Sequence, residues 1–377
     1  MKIGITGQPG FVGTHLYNYL GLQEEMERIP FKDEYFESDE TLQDFVKQCD
    51  VIVHLAAMNR HNDPQVIYDT NIRLVKQLID ACEATDSRPH ILFSSSTQEE
   101  RDNPYGKSKF DGRKMLENWA KRNNARFTGL IIPNVFGPFG HPYYNSFIAT
   151  FCHQLTHNEK PKIEVDGTVK LIYVGELIKQ ITDHIFEVAK EYPNEVVIEE
   201  IRLQHTSEGK VSRILKLLED FKQNYLEKGI IPNLDSTFQR NLFNTFLCYI
   251  DHKSFFPFHL TKHSDNRGSF VELVKLNSGG QVSFSTTVPG ITRGNHFHTR
   301  KAERFAVIKG KARIQLRRIG TDEVLDFELD GEKPSFVDMP IWYTHNITNI
   351  GDEELYTIFW INEHYDPEDG DTFFETV

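Results

Sequence analysis

The chain has 377 residues, 39% hydrophobic and 26% charged, with 42 basic residues against 55 acidic ones and a formal net charge of -13. That length predicts two or three domains with well-buried cores, in a composition typical of soluble globular proteins. The acidic balance argues against nonspecific nucleic-acid binding and supplies no polybasic membrane patch. The four cysteines, Cys49, Cys82, Cys152 and Cys248, form no CxxC pair and read as reduced thiols of a cytoplasmic protein. No basic, apolar leader and no apolar run of membrane length stands out, so neither a signal peptide nor membrane insertion is expected.

In chain order, KIGIT (2–6) reads as a short buried strand, followed by a glycine turn and a helix through Phe11, Leu16 and Leu20. MERIPF is a second short strand, and DVIVHLAA (50–57) is a continuous apolar run of the parallel-sheet kind. Residues 66–84 predict a helix with Val66, Ile67, Leu74, Val75, Leu78 and Ile79 on one face. HILFSSS (90–96) is a strand ending in hydroxyls, SKFDGRKMLENWAKR is helical, and FTGLIIPNVFG is a strand and loop. Alternating strands and helices predict a parallel sheet with right-handed crossovers. Near residue 250 the pattern changes to short alternating strands separated by Gly, Pro, Asn and Asp, the mark of a sandwich or small barrel. The expected organisation is an α/β domain over 1–250 and an all-β domain over 251–377.

Three constellations carry chemistry. Gly7, Gly10 and Gly13 stand between the first strand and its helix, where backbone amides of the first turn, around Phe11 and Val12, can approach a pyrophosphate. Tyr105 and Lys109 share one helical face, downstream of Ser94, Ser95 and Ser96 at a strand end. Reduction of a ketone needs a proton donor at the carbonyl oxygen. A tyrosine beside an ammonium can serve, with a serine holding the carbonyl. Lys32, after the second strand, suits the 2′-phosphate of NADPH, although Asp33 is its neighbour. In the C-terminal part, His296 and His298 on one strand, then Glu303, then His345 from another strand, can hold a first-row divalent ion such as Zn2+.

With these residues in place, residues 1 to about 250 resemble an extended short-chain dehydrogenase/reductase, which has a Rossmann-like fold. The resemblance implies Ser96, Tyr105 and Lys109 as catalytic residues, with Ser95 a possible substitute for Ser96. HLAA (54–57) resembles the family's segment beside the cofactor, which implies Leu55, Ala56 and Ala57. PNVFGP (133–138) resembles its substrate-side loop, with Asn134 at the matching polar position and Ile131 where the family often has Arg. The C-terminal blocks, G-x5-H-x-H-x4-E-x6-G and P-x4-H-x3-N, resemble the cupin signature, a small β-barrel, with Trp342 standing where glycine is usual.

DNRGSFVE (265–272), TRGNH (292–296) and NEHYDPE (362–368) are similar to segments of cupin nucleotide-sugar 3,5-epimerases. That similarity implies substrate contacts from Arg267, Glu272 and Arg293, the arginines holding a diphosphate. The epimerase tyrosine falls at Phe359, which leaves Tyr343, near His345 in sequence, as a candidate acid. The order reductase then cupin, with NPYGKSK, NSFIATFC, RGSF and GNHFH, resembles the bifunctional capsular-polysaccharide enzymes. The resemblance implies C3 epimerisation and NADPH-dependent C4 reduction of a UDP-linked 4-keto-6-deoxy amino sugar, UDP-2-acetamido-2,6-dideoxy-hexos-4-ulose. The product would be UDP-2-acetamido-2,6-dideoxy-L-talose, on the route to UDP-N-acetyl-L-fucosamine, made by a homodimer. Two other readings compete: a reductase whose cupin only supports structure or dimerisation, and an NADP(H)-sensing regulator.

Overall fold

The structure, a computed structural model, describes residues 1–377 apart from 192–194 and 267, and of 268–270 only the backbone. The chain divides into two compact units, Met1–Phe147 with Gly167–Lys210, and Ile148–Asp166 with Val211–Val377.

In the first unit, β1 (Lys2–Thr6), β2 (Glu27–Ile29), β3 (Val51–His54), β4 (His90–Ser96), β5 (Phe127–Ile132) and β8 (Ile198–Arg202) form a sheet in the order β2-β1-β3-β4-β5-β8. Every pairing in it is parallel. β3 and β5 are buried along their whole length, which is why their sequences are mostly apolar: helices cover both faces. A smaller sheet joins β6 (Asn134–Phe136), β7 (Thr168–Tyr173) and β9 (Ser207–Lys210). The helices α1 (Phe11–Leu20), α2 (Asp39–Gln48), α3 (Pro64–Ala84) and α4 (Pro104–Asn123) follow β1 to β4. One core packs Phe45, Val46, Leu78, Leu116 and Trp119 from helices against Phe93 and Phe127 from strands. The chain steps from β1 outward to β2 and then back across to β3. That reversal opens a crevice at the carboxyl ends of β1 and β3, where doubly wound sheets bind ligands.

The second unit is an antiparallel barrel with helices. Its small pairs are β10 (Ile230–Ile231) with β14 (Lys275–Leu276), and β12 (Lys262–Asp265) with β13 (Gly268–Val271). One five-stranded sheet is built from β11 (Phe258–His259), β15 (Gln281–Thr287), β17 (Glu303–Lys309), β20 (Ser335–Met339) and β22 (Leu355–Ile361), in the order β11-β20-β17-β22-β15. The other uses β16 (Thr292–Phe297), β18 (Lys311–Arg318), β19 (Val324–Asp330), β21 (Tyr343–Asn349) and β23 (Phe373–Phe374), in the order β19-β18-β21-β16-β23. Alternate residues point inward; Ala312, Ile314 and Leu316 of β18 meet Val307, Phe336, Val337 and Ile347 in the core.

The units do not part at residue 250. The helices Val211–Phe221 and Thr237–Leu247 belong with the barrel. A buried cluster joins them to it: the Arg304 guanidinium pairs with the Asp338 carboxylate at 2.8 and 2.9 Å and donates to the Gly229 carbonyl at 2.9 Å. The Tyr225 hydroxyl donates to the same carboxylate. Periodicity marks residues 211–250 as helical, but it cannot say which sheet their apolar face covers. Among the described residues, no helix is long and apolar enough to cross a membrane.

Candidate functional site

The glycine turn is shaped for a close backbone approach. Gly7 adopts φ +70, and a Cβ there would meet the Ala56 backbone at 2.8 Å. The HLAA segment therefore lies directly against the turn, and Leu55, Ala56 and Ala57 are half-buried beside it. The Leu55 amide donates to the Thr6 carbonyl at 3.1 Å and the Ala56 amide to Thr6 Oγ1 at 3.3 Å, while Thr6 Oγ1 and His54 Nδ1 are 2.7 Å apart. Gly10 caps α1, so Phe11, Val12 and Gly13 form its first turn, where amides lack helical acceptors and favour an anion. The Phe31 amide donates to Gln8 Oε1 at 3.1 Å, which brings the end of the second strand region to the turn. Lys32 follows it, exposed. These residues fit a dinucleotide: two close backbone segments, a helix start and a cation just after the second strand.

Asn103 and Pro104 start α4, with Asn103 Oδ1 accepting from the Gly106 amide at 2.8 Å. Tyr105 thus sits in the first turn and Lys109 one turn below. Lys109 is buried, its Nζ 3.5 Å from Ser94 Oγ, 5.0 Å from the Phe93 ring centre and 5.8 Å from that of Tyr105. Burial lowers Lys109 to about 8, although Glu99 opposes the shift. Burial, with Tyr144 nearby, pushes the Tyr105 phenol up to about 12, so it holds its proton at neutral pH. Ser96 Oγ accepts from the Gln98 amide at 3.1 Å. Ser95 points to the other face of β4 and donates to the Glu99 carboxylate. Arg113 grips that carboxylate at 2.7 Å and reaches Glu200 at 2.6 Å. Ser95 is therefore committed to a buried ion-pair network, whereas Ser94 shares the face of Ser96.

In the barrel, the four sequence-singled ligands converge. One ligand atom from each of His296, His298, Glu303 and His345 lies within 4.8 Å of all the others. Glu303 Oε2 is 3.0 Å from His345 Nε2, 3.3 Å from His298 Nε2 and 3.9 Å from His296 Nε2. Those separations bracket the edge of about 3.4 Å expected for a tetrahedral N/O site around zinc. A bulge makes this possible: β16 pairs Gly294 with Asn346 but His296 with His345, so Asn295 is extra and His296 comes to face His345. Gly294 adopts φ +98, and a Cβ there would meet the His345 carbonyl at 2.8 Å.

The donor set is chemically suited to a cation. His345 Nδ1 faces the Tyr343 carbonyl at 3.1 Å, and His298 Nδ1 faces the Asp371 carbonyl. A carbonyl only accepts, so both Nδ1 atoms carry a proton; a cation bound among these groups would take up both Nε2 lone pairs, which in its absence can be protonated toward Glu303. Burial, then His345 and His298, lower His296 to about 4, which leaves it a neutral ligand. Burial opposes the Glu303 charge, but His298 and His345 outweigh it and hold the carboxyl well below the usual range. The His296 side chain is 24% exposed and that of His345 only 1%, so the site is reached from the His296 side.

Residues 3–185 match the NAD dependent epimerase/dehydratase family, and residues 263–373 match the polysaccharide biosynthesis C-terminal domain. The UDP-2-acetamido-2,6-beta-L-arabino-hexul-4-ose reductase of Pseudomonas aeruginosa is 32% identical over 374 residues, 99% of this chain and 98% of its own. CapF, the capsular polysaccharide assembling protein of Staphylococcus aureus, has a solved structure that superposes at a TM-score of 0.62, with 34% identity over 100% of both chains. The chain belongs to the CapF family. A UDP-glucose 4-epimerase of Thermotoga maritima, 19% identical with a TM-score of 0.51, covers 59% of this chain and 83% of its own, a likeness of fold alone.

The family's two-part layout thus matches the reductase-then-barrel organisation, a nucleotide-sugar reductase/epimerase architecture that works with a nicotinamide dinucleotide. The substrate-side residues are dispersed. Asn134 opens β6, exposed, and donates to the Lys170 carbonyl at 3.3 Å. Arg293 is exposed and donates to the Thr286 carbonyl at 3.2 Å. Glu272 is exposed and pairs with Lys275 at 2.7 Å. Arg267 lies outside the described residues. The Tyr343 ring packs edge-on against His252, 5.2 Å between centres, and against the barrel core, and burial raises its phenol. Phe359 packs against Phe305 with the rings inclined, 5.5 Å between centres, and Phe305 meets the His345 ring edge-on at 6.2 Å.

Ser94, one of the three strand-end serines, shares the strand face of Ser96. Sequence reasoning missed Arg60. Arg60 donates to the Tyr144 carbonyl at 3.1 Å, tying a post-β3 loop to the segment beside Tyr105; no local pattern marks it. Trp342 occupies φ +62, the left-handed backbone that explains why glycine is usual there, and its ring stacks on Phe297 at 5.5 Å.

Proposed function

We propose that this protein reduces C4 of UDP-2-acetamido-2,6-dideoxy-hexos-4-ulose with NADPH and inverts C3 of the same sugar in its barrel. The product is UDP-2-acetamido-2,6-dideoxy-L-talose, on the route to UDP-N-acetyl-L-fucosamine, made in the cytoplasm by a homodimer. The observation that carries the reading is the pairing of an α4 Tyr105/Lys109 site with a four-ligand barrel site in a chain 32% identical, end to end, to a UDP-4-keto-sugar reductase.

Bound NADPH supplies the hydride to C4. Tyr105 gives its proton to the 4-keto oxygen as that oxygen gains charge, and the Lys109 ammonium stabilises the phenolate left behind. Ser96 holds the oxygen in register, and Ser94 orients Lys109. Lys32 selects NADPH by attracting the 2′-phosphate at the end of the second strand. In the barrel, His296, His298, Glu303 and His345 would hold a divalent ion, which when bound would supply Lewis acidity beside the 4-ketone. Arg293, Glu272 and Arg267 engage the UDP-sugar, and Tyr343 is the candidate proton carrier at C3.

The test separates the two halves. With the UDP-4-keto sugar in heavy water and no NADPH, the protein should place deuterium at C3; added NADPH should then be oxidised in equal amount to product. His298→Ala should lose the metal and C3 exchange but still oxidise NADPH with substrate already inverted at C3. NADPH oxidation without any C3 exchange would make the barrel a structural module, and no NADPH oxidation across a panel of UDP-4-keto sugars would refute the reductase assignment.

A further inference from the structure

Asp371 is buried near the C-terminus and adopts φ +42, a left-handed conformation that L-residues other than Asn and Asp rarely take. Its carboxylate collects four hydrogen bonds. Oδ1 accepts from the Thr299 amide at 3.1 Å and the Thr299 hydroxyl at 2.6 Å, and Oδ2 from the Arg300 and Lys301 amides at 3.0 and 3.1 Å. Three successive amides converging on one anion form a nest, and bonds to a charged acceptor are the strong ones. The segment so fixed is most of the link between His298 and Glu303. The same residue's carbonyl accepts from His298 Nδ1.

The neighbouring tail is pinned to the same link. The Lys301 ammonium donates to the Gly370 carbonyl at 2.8 Å, and Arg300 pairs with Asp369 at 2.7 Å and Glu363 at 3.2 Å. Beyond Asp371, β23 pairs with His296 and Phe297. His298 Nε2 is buried and lies 3.3 Å from Glu303 Oε2, one edge of the four-residue cluster. His345 takes its tautomer from its own strand, through the Tyr343 carbonyl; His298 takes it from a residue 73 positions away.

We propose that Asp371 is a positioning residue of the metal centre. Its carboxylate locks the link between His298 and Glu303, and its carbonyl fixes the His298 tautomer that offers Nε2 to the ion. The inference rests on the four-ligand reading. Loss of an outer partner of a metal ligand weakens binding by about 10- to 100-fold.

The full-length apoprotein is titrated with Zn2+ against a chromophoric chelator, and its Co2+ form is followed by visible absorption. Asp371→Asn places an amide NH2 against backbone donors. It should weaken Zn2+ binding by about 10- to 100-fold and alter the Co2+ spectrum, while NADPH binding stays unchanged. Thr299→Val, which removes only the hydroxyl bond, should weaken Zn2+ by on the order of a few-fold and keeps the test alive if Asp371→Asn does not fold. Asp369→Asn loosens the tail one contact away and should leave affinity and spectrum as in wild type. Wild-type affinity in Asp371→Asn and Thr299→Val, or an equal loss in Asp369→Asn, overturns the positioning role. Failure of the wild-type protein to bind Zn2+ or Co2+ at all would instead sink the four-ligand reading.

Discussion

The two sites are built by different means. In the parallel-sheet unit the reacting groups stand where elements begin and end: Gly10 caps α1, Ser96 closes β4, and Tyr105 lies in the first turn of α4. In the barrel the ligands are gathered by strand register, with His296 set opposite His345 by a bulge and His298 fixed from the tail. Their electrostatics differ as well. Desolvation is the largest single influence on Tyr105, Lys109 and Glu303 alike; it prevails at Tyr105 and Lys109, whereas at Glu303 the imidazole neighbours together outweigh it and hold the carboxylate charged. A site at element ends depends on local spacing. A site made by register depends on contacts across the whole barrel.

The largest effect expected is on the first site. Tyr105→Phe should lower NADPH-dependent ketone reduction by about two to four decades, the usual loss on removing a general acid, with cofactor binding retained. Turnover near wild type would show that the element-end site has been misread.

The barrel should be more sensitive in stability. Asp338→Ala leaves Arg304 buried and unpaired, and such losses cost about 3–5 kcal/mol. Urea unfolding followed by the intrinsic fluorescence of Trp342 and Trp360, the barrel tryptophans, should show it, while exposed pairs such as Lys179–Asp183 should contribute under about 1 kcal/mol. A barrel that unfolds at the wild-type urea concentration would mean that the Arg304 cluster does not join the 211–250 helices to it energetically.

A pH profile sharpens the desolvation contrast. Lys109 is lowered to about 8 in the folded protein from 10.5. Between those values the unfolded chain binds the extra proton, so this group's contribution makes stability rise with pH across that window. Activity should move the other way: kcat/KM, which reports the free enzyme, should fall about tenfold per pH unit above pH ~8 as the ammonium is lost. A kcat/KM flat to pH 10 would remove Lys109 from the role. The smallest effect is expected from Lys32→Glu, since Lys32 is exposed. The preference for NADPH over NADH should shift by about tenfold toward NADH, one charge-assisted bond to the 2′-phosphate being worth roughly 1.5–3 kcal/mol before solvent screening. Unchanged preference in steady-state kinetics would place selectivity elsewhere.

Local pattern was enough to read the class of each half and most of the candidate site residues. Mostly apolar runs mark strands covered on both faces, alternation marks barrel strands, and Asn103-Pro104 sets the start of α4, so Tyr105 and Lys109 could be paired from spacing alone. The four candidate ligands were legible because His296 and His298 lie two residues apart and Glu303 and His345 keep fixed distances within the glycine- and proline-framed blocks. Tertiary structure alone decided the rest. That Ser95 faces away from Ser94 and Ser96 followed from strand parity, and the Arg113–Glu99 pair engages it. The 211–250 helices went with the barrel because Tyr225 and Gly229 bond to the Arg304–Asp338 pair, far away in sequence. Asp371 meets His298 through a tail whose last strand pairs with His296 and Phe297. Such contacts follow from how packed elements close on one another, and no local period or spacing records them, because a side chain's partner across a barrel is set by register and not by its neighbours in the chain.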